Sequence, residues 1–83
     1  MKLLDFYADW CSPCKMQGEL LQSFEEVEIE PVNVENEENE SLCEEYGVKS
    51  LPTLVLLDDD NEMIKEWHGL THPDEILKYI TKD

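Results

Sequence analysis

The chain has 83 residues, with 21 Asp and Glu against six Lys and no Arg, for a formal net charge of −15. Nucleic acid and anionic membrane surfaces both need a basic face, so neither is expected as a partner. One domain over residues 1–83 is expected, and a chain this short buries roughly 60 to 65% of its unfolded surface. The 41% hydrophobic content is that of a folded protein. Solubility is the first reading of the acidity, and docking partners with basic faces are the sharper one. No segment approaches the ~20 apolar residues of a membrane span. Met1-Lys2-Leu3-Leu4 resembles the start of a signal peptide, but Asp5 and Asp9 interrupt it, so no export is expected. Three cysteines without a leader fit a reducing, cytoplasmic setting and a catalytic pair rather than a structural framework.

Residues 2–8 read as a buried strand, nearly continuous through Leu3, Leu4, Phe6, Tyr7 and Ala8, with Asp5 as the anomaly inside it. Trp10-Cys11-Ser12-Pro13-Cys14-Lys15 follows. Ser12 and Pro13 supply a helix start, Ser as a cap-type residue and Pro in the first turn. Met16, Leu20, Leu21 and Phe24 then lie at helical spacing, with Lys15, Gln17, Glu19 and Gln22 assigned to the outer face. Val27, Ile29, Val32 and Val34 mark a second strand, and Pro31 within it predicts an edge position. Residues 38–46 form a short helix with Leu42 and Tyr46 on one face, ended by Gly47. Leu54 to Leu57 is a strand buried on both faces, and Met63 to Trp67 pairs back on it across the Asp58–Asn61 turn. Gly69 to Asp74 breaks this strand and starts a last helix with Ile76, Leu77 and Ile80 on its apolar face. The order is β-α-β-α-β-β-α. It predicts an α/β fold in which the first two strands are parallel with a right-handed crossover, the last two are antiparallel, and helices cover both faces of one mixed sheet.

Two cysteines two residues apart can close a disulfide or open to a dithiol, and at the join of a strand and a helix they form a redox motif. The alternative is a static bridge or two buried thiols. At the N-terminus of a helix, free backbone N–H groups and the dipole favour a thiolate, which makes Cys11 the expected nucleophile. A carboxylate within an apolar strand is costly when ionised, so the pKa of Asp5 is expected to be raised, unless Asp5 faces solvent at the strand start.

Three blocks in order resemble the thioredoxin family: Asp5-Phe6-Tyr7-Ala8-Asp9-Trp10-Cys11-Ser12-Pro13-Cys14-Lys15, then Tyr46-Gly47-Val48-Lys49-Ser50-Leu51-Pro52-Thr53, then His68-Gly69. The resemblance covers nearly the whole chain. It implies a minimal, glutaredoxin-sized thioredoxin-like fold with four strands, without the family's N-terminal strand and helix. Ser12-Pro13 stands where Gly-Pro is usual, Pro31 where a lysine often faces the buried aspartate, and Glu19 where a proline often kinks the helix.

The resemblance further implies a protein-disulfide reductase with a redox-active Cys11–Cys14 disulfide. Cys11 attacks a substrate disulfide and Cys14 resolves the mixed disulfide. Asp5 lies beneath the pair and moves a proton for Cys14. Pro52 is cis after Leu51, leaving the Leu51 backbone free to pair with an extended substrate; spacing alone reads as an ordinary trans proline. Trp10, Ser12, Pro13 and Gly69 join Leu51 and Pro52 on the substrate surface, with core packing the alternative for Trp10. No cofactor and no metal is implied. The partners are disulfide-containing proteins and a thioredoxin-type reductase, and the chain is expected to be a monomer. Lys15 reads as a solvated residue, His68 as a loop residue or a tuner of the thiols, and Cys43 as a small buried hydrophobe or a regulatory thiol.

Glutathione-dependent, glutaredoxin-like activity is an alternative, but glutaredoxins place Pro directly after the first Cys, and Ser12 intervenes here. A metal-binding module would draw on Cys11, Cys14, Cys43, His68 and His72, yet a structural zinc site usually needs two closely spaced ligand pairs. A non-catalytic scaffold is the third reading.

Overall fold

The first apolar run becomes the inner strand of a sheet. In a computed structural model that describes residues 1–80, β1 (Lys2–Tyr7) pairs in parallel with β2 (Glu28–Asn33) and antiparallel with β3 (Thr53–Leu57). β3 pairs antiparallel with β4 (Met63–His68), giving the order β2-β1-β3-β4. This is the mixed four-stranded sheet expected from the sequence. The last three residues of the expected 1–83 domain lie outside the described residues. Pro31 is tolerated because β2 is an edge strand.

Among the described residues three α-helices cover the sheet: α1 (Ser12–Leu21), α2 (Glu40–Glu45) and α3 (Pro73–Ile80), with a 3₁₀ turn over Glu37–Asn39 before α2. Strand side chains alternate between faces. Leu3, Leu54 and Leu56 pack on one face against Leu21 of α1 and Ile76 of α3, with Phe24 and Val27 closing the layer. Leu4, Phe6, Val55 and Leu57 pack on the other, against Leu42, Cys43 and Tyr46 from the α2 segment. Phe6 and Tyr46 approach with ring centroids 6.2 Å apart. Gly47 ends this segment at φ +57°, and the Val48 N–H reaches the Cys43 carbonyl at 3.0 Å.

Three expectations for α1 are corrected. The helix ends at Leu21, short of Phe24, which is buried beyond its C-terminus. The inward face is Cys14, Gln17 and Leu21, whereas Met16 is 52% exposed and Gln17 fully buried. The i, i+3, i+7 spacing outranks polarity here, because Gln17 finds polar partners inside. Ser12 is also not the cap: it is the first helical residue, and Cys11 caps the helix with its sulfur.

Candidate redox site

The cysteine pair sits where β1 hands over to α1. The chain leaves the sheet at Tyr7, turns so that the Cys11 N–H reaches the Ala8 carbonyl at 3.1 Å, and enters the helix at Ser12. Cys11 has extended backbone angles (φ −92°, ψ 105°), the conformation of an N-cap residue. Its Sγ accepts the Cys14 N–H at 3.2 Å. This backbone donor, together with the positive end of the α1 dipole, stabilises negative charge on Cys11 sulfur. Cys11 and Cys14 form a disulfide with Cα atoms 5.2 Å apart, packed with Ala8 and flanked by Tyr7, Val34 and Leu51. Both are buried as residues, yet Cys11 lines a surface groove and Cys14 lies on the inward face of α1.

That groove encloses about 630 Å³ between Trp10, Cys11, Ser12 and Pro13 on one side and Val48, Lys49, Ser50 and Leu51 on the other, with Val34 and Cys43 also in its walls. Ser12 and Pro13 also border a second cleft with Met16, Leu51, Pro52, Gly69 and Leu70. The two depressions therefore share Ser12, Pro13 and Leu51 as a common border. All six residues expected on the substrate surface line one or both. Trp10 is 69% exposed and not in the core. Its indole Nε1 donates to Glu35 Oε2 at 3.1 Å, a contact the sequence reading missed. The Leu51–Pro52 peptide is cis. Leu51 precedes β3, and its backbone takes no part in the ladder.

Asp5 is buried (6% exposed) on the same sheet face as Leu3, the face that α1 covers. Its neighbours across the sheet are Pro31 on β2 and Leu54 on β3, with Trp67 beyond Leu54 on β4. Asp5 Oδ1 has no hydrogen-bond partner among the described residues. Burial in this apolar row pushes its carboxyl from the ordinary 3.8 up to about 6.

The remaining candidates lie around this centre. His68 ends β4 and lines neither cleft; its Nε2 and Glu66 Oε1 are 2.6 Å apart, and its Nδ1 lies 3.5 Å from Thr53 Oγ1. Lys15 is exposed. Cys43 is a half-buried free thiol in the groove wall, and burial first, then Glu40 and Glu44, push its pKa up. Among the described residues, no three His, Cys, Asp or Glu side chains converge as a metal site, and no helix is long and apolar enough to cross a membrane.

Comparison with known proteins agrees with this geometry. A family model described as Thioredoxin matches residues 1–82. The chain is 38% identical over 84 residues to a thioredoxin of Chlamydia caviae, covering 96% of this chain and 79% of the relative. It is 31% identical over 83 residues to the thioredoxin of Bacillus subtilis, with the same coverage. Among solved structures, a mutant thioredoxin from Halobacterium salinarum matches with a TM-score of 0.82 at 36% identity, covering 95% of this chain and 70% of that one. Thioredoxin 1 from Thermosipho africanus matches with a TM-score of 0.74 at 28% identity, covering 96% of this chain and 90% of that one.

Proposed function

Because the chain belongs to the thioredoxin family and is a thiol–disulfide oxidoreductase that reduces protein disulfides through its Cys-x-x-Cys pair, we propose the following division of labour among its residues. In the reduced protein the Cys11 thiolate attacks one sulfur of a substrate disulfide. The substrate S–S bond breaks, and an S–S bond forms between Cys11 and the substrate. Cys14 then gives its thiol proton to the Asp5 carboxylate and attacks Cys11 Sγ. The substrate sulfur held by Cys11 leaves as a thiolate, and the two substrate thiolates take up two protons, one from Asp5 and one from solvent. The protein is left with the Cys11–Cys14 disulfide. Two electrons and two protons from a reductase dithiol restore it.

One observation carries this reading. The Cys14 N–H points at Cys11 Sγ over 3.2 Å, at a helix N-terminus that opens into a groove. A donor aimed at one sulfur of the pair supports Cys11 as the thiolate. Burial of Asp5 supports the proton step, since a carboxyl titrating near 6 accepts a proton more readily than an ordinary aspartate. Trp10, Ser12, Pro13, Leu51, Pro52 and Gly69 hold the substrate, an extended segment lying along Leu51. The chain works as a cytoplasmic monomer recharged by a thioredoxin-type reductase. Glutathione is the lesser donor, because among the described residues Lys49 is the single cation on the groove wall to meet its carboxylates.

Turnover of a protein disulfide, with either NADPH and thioredoxin reductase or reduced glutathione as the electron source, tests the assignment. Faster recharging by the reductase is expected. Recharging by glutathione alone would overturn the partner assignment while leaving the chemistry in place.

A further inference from the structure

The second cleft has two exposed apolar jaws, Met16 on α1 and Leu70 after β4, which are 52% and 48% exposed. Directly behind each jaw stands a buried neighbour: Gln17 is 0% exposed and Thr71 is 3% exposed. These two are joined by a pair of hydrogen bonds. Gln17 Nε2 donates to the Thr71 carbonyl at 2.8 Å, and the Thr71 N–H donates to Gln17 Oε1 at 2.7 Å. The amide thus satisfies both backbone groups of one loop residue in a buried position. The same loop is tied to the opposite wall, since the Gly69 N–H donates to the Pro52 carbonyl at 2.8 Å with Gly69 at φ +85°. Thr71 Oγ1 closes the loop on the Gly69 carbonyl at 3.0 Å. The Gln17 side chain therefore ties the helix that carries the cysteines to the loop that carries Leu70.

We infer that the Gln17–Thr71 clamp sets the distance between Met16 and Leu70, and so the fit of an apolar substrate residue flanking the disulfide. Gln17 is then a positioning residue for substrate selection. The inference rests on the functional reading above. The cleft encloses about 440 Å³ between mostly apolar walls, and Ser12, Pro13 and Leu51 border both it and the cysteine groove. Such a cleft takes a leucine-sized side chain and discriminates against a polar one.

The test uses the full chain and two disulfide peptides that differ only in Leu or Ser beside the cystine, with a small aromatic disulfide as reference. The parent is expected to prefer the Leu peptide about tenfold in kcat/KM. Gln17→Leu keeps the volume but loses both hydrogen bonds. It is expected to erase most of that preference through a higher KM for the Leu peptide, relative to the small disulfide. Gln17→Glu, protonated at its buried site, can make both bonds again and is expected to restore the preference. Loss of stability alone lowers the active fraction and scales all three substrates together, and that result would overturn the inference. Leu70→Ala, a surface change, covers the case in which Gln17→Leu does not fold: an unaltered Leu/Ser ratio in it also overturns the subsite. A parent that reduces neither peptide defeats the functional reading itself and the inference with it, whereas a parent that reduces both equally defeats the inference alone.

Discussion

Asp5 of β1 and Pro31 of β2 are register partners, so the buried carboxylate has a proline where a cation could neutralise it. The energetic consequence follows from the direction of the pKa change. In the unfolded chain the carboxyl titrates near 3.8, and in the folded protein near 6. The folded state therefore binds the proton more tightly. The cost of Asp5 is absent below the unfolded value, grows as pH rises between the two values, and is constant above about 6. A displacement of this size corresponds to roughly 3 kcal/mol. Asp5→Asn removes the charge and keeps the shape. It should stabilise the oxidised protein by about 2–3 kcal/mol at pH 8 and by almost nothing at pH 3.5. Urea unfolding at the two pH values checks this, and an equal gain at both would mean that burial of charge is not the cause.

The same substitution should slow the chemistry that Asp5 performs at a cost to the fold. Without a carboxylate to take the Cys14 proton, resolution of the mixed disulfide is expected to fall by about a hundredfold. The first attack by Cys11 should change little. Acid-quenched single turnovers should then show the mixed disulfide accumulating in Asp5→Asn but not in the parent. The parent's resolution rate should rise with pH through about 6, the value of the folded carboxyl, and the variant should lose that inflection. Unchanged resolution would remove Asp5 from the mechanism.

These two residues also show what was legible in the chain. Asp5 was visible because a charge within an apolar strand violates the local pattern, and Pro31 because proline inside a strand marks an edge. The parallel first two strands, the antiparallel last two and the helix start at the cysteines were carried by similarly local signals. Gln17 was not, because its polarity reads as outward while its helical spacing, three after Cys14 and four before Leu21, reads as inward. Its partner Thr71 is 54 residues away in sequence, beyond any local rule. Met16 failed in the opposite sense. Its apolar side chain reads as core but stands exposed on the rim of a cleft. The Trp10–Glu35 contact spans 25 residues and joins an exposed indole to one of many acidic residues, so nothing singled out Glu35 in advance.

Gly18 lies in the interior of α1 on its exposed side, and a Cβ built there meets no atom within 4 Å. Glycine inside a helix costs up to about 1 kcal/mol against alanine, mainly in backbone entropy. Gly18→Ala should therefore stabilise the protein by about 0.5–1 kcal/mol without changing the Cys11–Cys14 reduction potential. Denaturant midpoints and equilibration against thiol buffers measure the two quantities. A loss of stability would show that the α1 backbone at this position needs glycine for a reason absent from its surroundings.

The three thiols should separate by reactivity. Cys11 receives the Cys14 N–H and the helix dipole, both of which favour its thiolate. Cys43 is pushed the other way by burial and by Glu40 and Glu44. In the reduced protein at pH 7, iodoacetamide is expected to alkylate Cys11 at least tenfold faster than Cys43, as a thiolate outcompetes a thiol. Peptide mapping of a time course gives the ratio. The same asymmetry predicts that Cys14→Ser traps a covalent adduct with a protein disulfide, whereas Cys11→Ser traps none. The adduct should be released by dithiothreitol and should map to Cys11. Mapping to Cys43 instead would make the groove-wall cysteine the nucleophile and would require the roles of the two arms of the groove to be exchanged.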